Sequence, residues 1–261
     1  MSAPPLQFAH ANSFPAASYR VFLARLADRF DVHFVPKFGH DPRYPVTESW
    51  PHLVEQLIDA VARGPVPVIG VGHSLGGYLS LLAAVRRPEL FRAVILLDAP
   101  LIGTFHGHAL ALVKQLGLLE RFSPGAGALG RRSEWPTVEA ALTHFASKRV
   151  FARFDPRCLE DYVRHATETT EHGIRLVFRP EVEHRIYGTL PHRVGRAAKS
   201  LRVPGGLIVG RQSDIVRRFG LAASRRILRV VTTPGGHLFP LEHPEAAADA
   251  VNEMAQNLGS P

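Results

Sequence analysis

One cysteine, Cys158, is the whole thiol content of this 261-residue chain. That excludes an internal disulfide, and with it any argument from thiols for an oxidising compartment, so a cytoplasmic protein is expected. Cys158 itself lies between Arg157 and Leu159 in a helical stretch and reads as a packed thiol, not a nucleophile. No apolar run approaches the length of a membrane span. The start, Met-Ser-Ala-Pro-Pro-Leu-Gln, lacks the basic segment followed by an apolar core that marks a signal peptide. Runs of one charge are missing too. A net charge of +8 would invite nucleic acid or anionic lipid, but the arginines are scattered as singles and pairs such as Arg86-Arg87, Arg131-Arg132 and Arg225-Arg226. They accompany no helix-turn-helix, RNA-binding or zinc-finger pattern, so a generally basic, solvated surface is expected and no nucleic-acid partner. His106 and His108 stand two apart without carboxylate or cysteine company, and no H-E-x-x-H pattern occurs. No metal and no organic cofactor are therefore expected. Internal repeats and low-complexity tracts are absent as well.

What is there is concentrated between residues 66 and 82. An apolar, β-branched run (Val66, Val68, Ile69, Val71) breaks into Gly72-His73-Ser74-Leu75-Gly76-Gly77 and continues as a Leu/Ala-rich helical stretch. This is strand, abrupt turn and helix, with a serine at the apex and the spacing G-x-S-x-G. A serine held at positive φ crowds its neighbours, so the positions two before and two after it must be nearly free of side chain. Gly76 and Gly77 also let the helix approach the sheet closely and aim its first N–H groups at a ligand.

Gly72-His73-Ser74-Leu75-Gly76-Gly77 resembles the nucleophile elbow of the α/β-hydrolase superfamily, and the whole chain can be laid on that fold. Apolar strands at residues 6–9, 32–35, 93–97, 206–209 and 227–231 alternate with helical stretches at 18–30, 48–63 and 244–258. Such alternation marks an α/β class protein with a mostly parallel sheet covered by helices on both faces. The N-terminal hairpin that full-length superfamily members carry before the first strand has no room here. From residue 101 to 200 the chain reads as helices and loops: 110–119, 138–151, 158–166 and 182–187. The resemblance implies that residues 1–100 and 201–261 form the core and that 101–200 form an inserted helical cap. His10-Ala11-Asn12-Ser13-Phe14-Pro15 is similar to the oxyanion loop of a bacterial subgroup reading His-Ala-Asn-Gly-Phe-Pro, departing from it at Ser13. Arg179 to Tyr187 likewise resembles that subgroup's late cap.

The resemblance also implies the site. In this superfamily the triad runs Ser, acid, His along the chain. Here that order is met by Ser74, Asp214 and His237, each at the carboxyl end of a predicted strand. Asp98 also ends a strand and is the alternative acid; Asp214 has the commoner location and would leave Asp98 bonding local backbone. The backbone N–H groups of Leu75 and Asn12 are the expected oxyanion donors, while His10 and His73 are expected to brace loops. The implied reaction is cleavage of a carboxylic ester, thioester or lactone of a small to medium-sized substrate through an acyl-enzyme on Ser74. A C–C bond hydrolase with the same triad, or a non-catalytic ligand-binding member of the fold, are the alternatives. The partner is a small acyl substrate, and a homodimer is left open. Residues 101–200 hold 15 Lys/Arg against 10 Asp/Glu; solvent-facing arginines are the expected reading, with a cationic cap wall for anionic substrates as the alternative.

Overall fold

The computed structural model describes residues 3–116 and 127–259. The first half runs β1 (Pro5–Ala9), a 3-10 turn (Ala16–Tyr19), α1 (Arg20–Ala27), β2 (Asp31–Phe34), α2 (Pro51–Ala62), β3 (Val68–His73), α3 (Leu75–Arg86) and β4 (Phe91–Leu97). The inserted segment follows with α4 (Thr104–Gln115), β5 (Glu134–Trp135), α5 (Val138–Ala146), α6 (Pro156–His165), β6 (Thr167–Thr170), β7 (Gly173–Leu176), α7 (Pro180–Gly188) and α8 (Val194–Ala197). The chain then closes with β8 (Gly205–Gly210), α9 (Asp214–Phe219), β9 (Arg229–Thr233), α10 (Phe239–Glu242) and α11 (Pro244–Gly259).

Six strands form one sheet in the order β2-β1-β3-β4-β8-β9, and every neighbouring pair is parallel. The sequence explains why. Each central strand is apolar on both faces, as a sheet covered on both sides requires. Ile69, Val71, Ile95, Leu97 and Ile208 pack into one apolar layer with Phe22 and Leu26 of α1 and Val251 and Met254 of α11. Val68, Val94, Leu96, Leu207 and Val209 alternate with them and meet Leu53 and Leu57 of α2 and Leu79 of α3 on the other face. The chain steps outward from β1 to β2, then returns past β1 to β3. That reversal opens a crevice at the carboxyl ends of β1 and β3, the place where open α/β sheets bind ligands.

The segment from 101 to 200 is tied to both layers. Phe145, Phe151 and Tyr162 belong to the first, with Phe14 and Tyr162 ring centres 5.3 Å apart; Phe178, Val182 and Ile186 belong to the second. The helical stretches foreseen there appear as α4 to α7, with shifted ends; residues 117–119 of the expected helix at 110–119 lie outside the described residues. The expectation of no strands in this segment is corrected. β5, β7 and β6 form a small antiparallel sheet. Its β6 is Thr167-Glu168-Thr169-Thr170, too short and polar to read as a strand.

Candidate active site

Ser74 stands between β3 and α3 with φ +53° and ψ −110°, the strained backbone that puts its hydroxyl at the crest of the turn. Its N–H donates to the Leu97 carbonyl at 2.9 Å and its carbonyl accepts from Gly77 N–H at 3.1 Å, so the turn is fastened to β4 and to its own helix. The flanking glycines are required by close approach. A Cβ on Gly72 would lie 2.1 Å from the Gly76 carbonyl oxygen, and one on Gly76 would lie 2.0 Å from the Ala9 carbonyl oxygen. The second contact sets the elbow against the end of β1, directly before the loop that carries Asn12.

His237 comes from the loop between β9 and α10. Its Nε2 is 3.1 Å from Ser74 Oγ. Its Nδ1 is 2.7 Å from Oδ2 of Asp98, not of Asp214. The expectation for Asp214 is thus corrected. Ser213 is the N-cap of α9, its hydroxyl accepting from Val216 N–H at 3.3 Å. Asp214 therefore occupies the first helical position, where a carboxylate complements the helix dipole; its side chain is 73% exposed and pairs with Arg217. Asp98 directly follows β4 with φ +47°, and its side chain is fully buried. Three donors hold that carboxylate: Gly210 N–H on Oδ1 at 2.9 Å, Ser213 O–H on Oδ2 at 2.5 Å, and His237 Nδ1–H. A carboxylate can only accept here, so His237 carries its proton on Nδ1 and turns a bare Nε2 towards the serine hydroxyl.

A second shell of buried imidazoles fixes the loops. His73 Nε2–H donates to the His237 carbonyl at 2.8 Å, and Tyr19 O–H donates to His73 Nδ1 at 2.8 Å. Ala11 N–H reaches the same phenol oxygen at 3.4 Å. The loop after β1, the elbow and the histidine loop are thereby joined through one fully buried pair, Tyr19 and His73. Burial, reinforced by the nearby His237, holds His73 down to about 3, so it stays neutral. His10 donates from Nδ1 to Ala11 O and accepts Phe38 N–H at Nε2; burial holds it down to about 4. Ser213 had a readable sign in the sequence, as a serine heading a helical stretch. Nothing in the sequence marked Tyr19.

The Asn12 side chain is buried and donates from Nδ2 to the Glu183 carbonyl of α7 at 3.1 Å. Ser13 adopts φ +71°, a left-handed conformation to which serine is poorly suited. The backbone N–H of Leu75 is the first of α3 and has no intrahelical acceptor. Cys158 is fully buried, and burial pushes its thiol up to about 12, leaving it inert.

Ser74, His237 and Asp98 border a cavity of about 370 Å³. The inserted segment contributes Ile102, Ala109, Leu110, Val113, Tyr187 and Leu190, together with His106. The alternative of a cationic cap wall is not met among them. Several of the segment's basic residues pair elsewhere: Lys114 with Glu48, Arg131 with Glu183, Arg157 with Asp155 and Glu245, Arg164 with Glu160, and Arg175 with Glu168. Among the described residues no helix is long and apolar enough to cross a membrane.

Residues 8–250 match the family model described as the alpha/beta hydrolase family. The chain belongs to that family. Its relatives are hydrolases. Over 266 residues it is 26% identical to the 2-(acetamidomethylene)succinate hydrolase of Mesorhizobium japonicum, covering 97% of this chain and 88% of that one. Over 110 residues it is 34% identical to the Abhydrolase domain-containing protein AFT2-1 of Alternaria alternata. That match spans 42% of this chain and 37% of the fungal protein, little over a third of its length. Among solved structures, E-2-(acetamidomethylene)succinate hydrolase superposes with a TM-score of 0.79 at 24% identity, covering 98% of this chain and 92% of that one; at that identity the likeness speaks to the fold.

Proposed function

We propose that this hydrolase cleaves a carboxylic ester, thioester or lactone through an acyl-enzyme on Ser74, with His237 as base and Asp98 as the acid of the triad. The observation that carries the reading is the unbroken hydrogen-bonded series Ser74, His237, Asp98 at the wall of an apolar cavity. A neutral hydroxyl is a poor nucleophile, and an imidazole with a bare Nε2 can accept its proton as the oxygen attacks. Asp98 holds that tautomer and stabilises the imidazolium that forms. The developing oxyanion is assigned to the N–H groups of Leu75 and Asn12, each worth about 3 kcal/mol in the transition state. His237 then hands its proton to the leaving group, and a water deprotonated by the same imidazole releases the acid. Residues 101–200 serve as the substrate-covering cap. The cavity lies at the small end of the range for ligand pockets, about 300–1,000 Å³, which suits a short or medium acyl group. The lone thiol is in keeping with a reducing cytoplasm.

A second reading, amide hydrolysis by the same triad, draws on the relative that aligns along nearly the whole chain, whose name specifies an acetamido compound. The test is covalent labelling of wild type and Ser74→Ala by a fluorophosphonate probe, followed by a panel of short- and medium-chain esters, thioesters and N-acyl amides. Wild-type labelling that Ser74→Ala abolishes, with turnover of at least one ester or thioester, supports the reading. Labelling without turnover of any acyl compound points to a ligand-binding role, and absence of labelling removes the reactive serine.

A further inference from the structure

Among the described residues bordering the cavity, one permanent cation stands out. α9 presents Ile215, Arg218 and Phe219 to it, the i, i+3, i+4 stripe of a single helix face. Arg218 is therefore on the cavity side of α9, while Arg217, one step round the helix, is the residue that takes the carboxylate of Asp214. Lys114, the lysine of α4, has both an acidic partner and a backbone carbonyl. Arg218 has neither. Most of the remaining wall is aliphatic and aromatic, including Ile102, Leu110, Val113, Leu190 and Phe219, with His106 and the proposed triad among its polar members. An apolar pocket with one strong, directional donor group is the pattern that fixes a ligand's orientation, and a guanidinium matches a planar carboxylate with two parallel hydrogen bonds.

We propose that the substrate is a half-ester or half-thioester of a dicarboxylic acid, with its apolar stem lying in the cavity and its free carboxylate on Arg218. The proposal rests on the hydrolase reading above and narrows it. The scissile carbonyl lies at Ser74, and the distal carboxylate takes no part in bond making. It is held at the open side of the pocket, where α9 leaves Arg218 exposed. Charge in the substrate is thus read by the helix after β8, while residues 101–200 supply most of the apolar lining.

The experiment compares 4-nitrophenyl hydrogen adipate with its uncharged isostere 4-nitrophenyl 6-methylheptanoate. Wild type is expected to favour the adipate in kcat/KM, and Arg218→Met to reduce that preference by about tenfold or more. The same variant is expected to cost the neutral ester less than it costs the adipate, since methionine keeps the apolar part of the wall. Arg218→Glu is expected to invert the preference. Equal loss on both esters, or an unchanged preference in Arg218→Met, overturns the proposal. If neither ester is turned over, calorimetric binding of adipate to Ser74→Ala and to Ser74→Ala/Arg218→Met decides. Binding that depends on Arg218 keeps the anion site while the hydrolase reading falls, and binding indifferent to Arg218 removes the anion site.

Discussion

Replacing Asp98 by asparagine changes one atom of the site and reverses the direction of its central hydrogen bond. The carboxylate now accepts from Gly210 N–H on one oxygen and from Ser213 O–H and His237 Nδ1–H on the other. An asparagine that keeps its carbonyl oxygen on the Gly210 N–H must turn its NH₂ towards Ser213 and His237. Ser213 can answer by rotating its hydroxyl to accept. His237 can answer only by moving its proton from Nδ1 to Nε2, which then faces Ser74 with a hydrogen where a lone pair is needed. Where such a tautomer exchange has been forced in a serine triad, kcat falls about 10⁴-fold, or about 5.5 kcal/mol of transition-state stabilisation. The fold should survive, because asparagine tolerates the positive φ of residue 98 better than most residues. Asp214→Asn, by contrast, removes one member of an exposed pair with Arg217. Exposed pairs are worth about 0–1 kcal/mol of stability, so kcat should stay within about twofold. The assay is steady-state hydrolysis of the best ester in the panel, with circular dichroism to verify folding of both variants. If Asp98→Asn keeps kcat within about tenfold of wild type, or a folded Asp214→Asn loses more than that, the assignment of the acid to β4 fails.

Three further outcomes are expected. Ser13→Gly relieves a left-handed serine whose buried hydroxyl has no hydrogen-bond partner, and should raise stability by about 1 kcal/mol in urea unfolding; an unchanged or lowered midpoint contradicts this. Tyr19→Phe leaves the buried Nδ1 of His73 without its donor, which should destabilise by about 1–3 kcal/mol and lower kcat through the freed His237 carbonyl, with KM little altered. Stability should also fall with acid well before the carboxylates titrate. His10 and His73 are held neutral at about 4 and about 3 in the fold, whereas the unfolded chain protonates them near 6.5. Their folded values are depressed, so the unfolded state binds the extra protons. Stability is complete above pH 6.5 and is lost as pH falls from there towards 4, by about 4 kcal/mol between pH 7 and 5 for the two together. Equal urea midpoints at those two pH values would contradict the burial of both imidazoles.

The layered architecture was legible because its signals are local. β-branched runs that are apolar on both faces specify buried parallel strands, and the glycines around Ser74 are demanded by contacts near 2 Å. The pairing of Ser74 with His237 followed from chain order. The acid did not, because two strand ends each carry an aspartate and chain order permits either. What separated them was the direction in which each side chain leaves the backbone. Ser213 caps α9 and sends Asp214 outward, while the left-handed turn at Asp98 sends its carboxylate under the imidazole. The small sheet at β5, β7 and β6 escaped for another reason: its strands are two to four residues long, so periodicity had too few positions to register. Where the basic residues of 101–200 point was invisible for the same kind of reason, since counting charges says nothing of their partners.

The position of the carboxylate at the end of β4 separates two tasks that would otherwise share one loop. Since residues 214–219 make no hydrogen bond to the His237 imidazole, they can be exchanged to suit a different ligand while the proposed proton relay is left as it is. A lineage could thus retune what it recognises through this one short helix, at no penalty to turnover, so long as the serine heading it is retained.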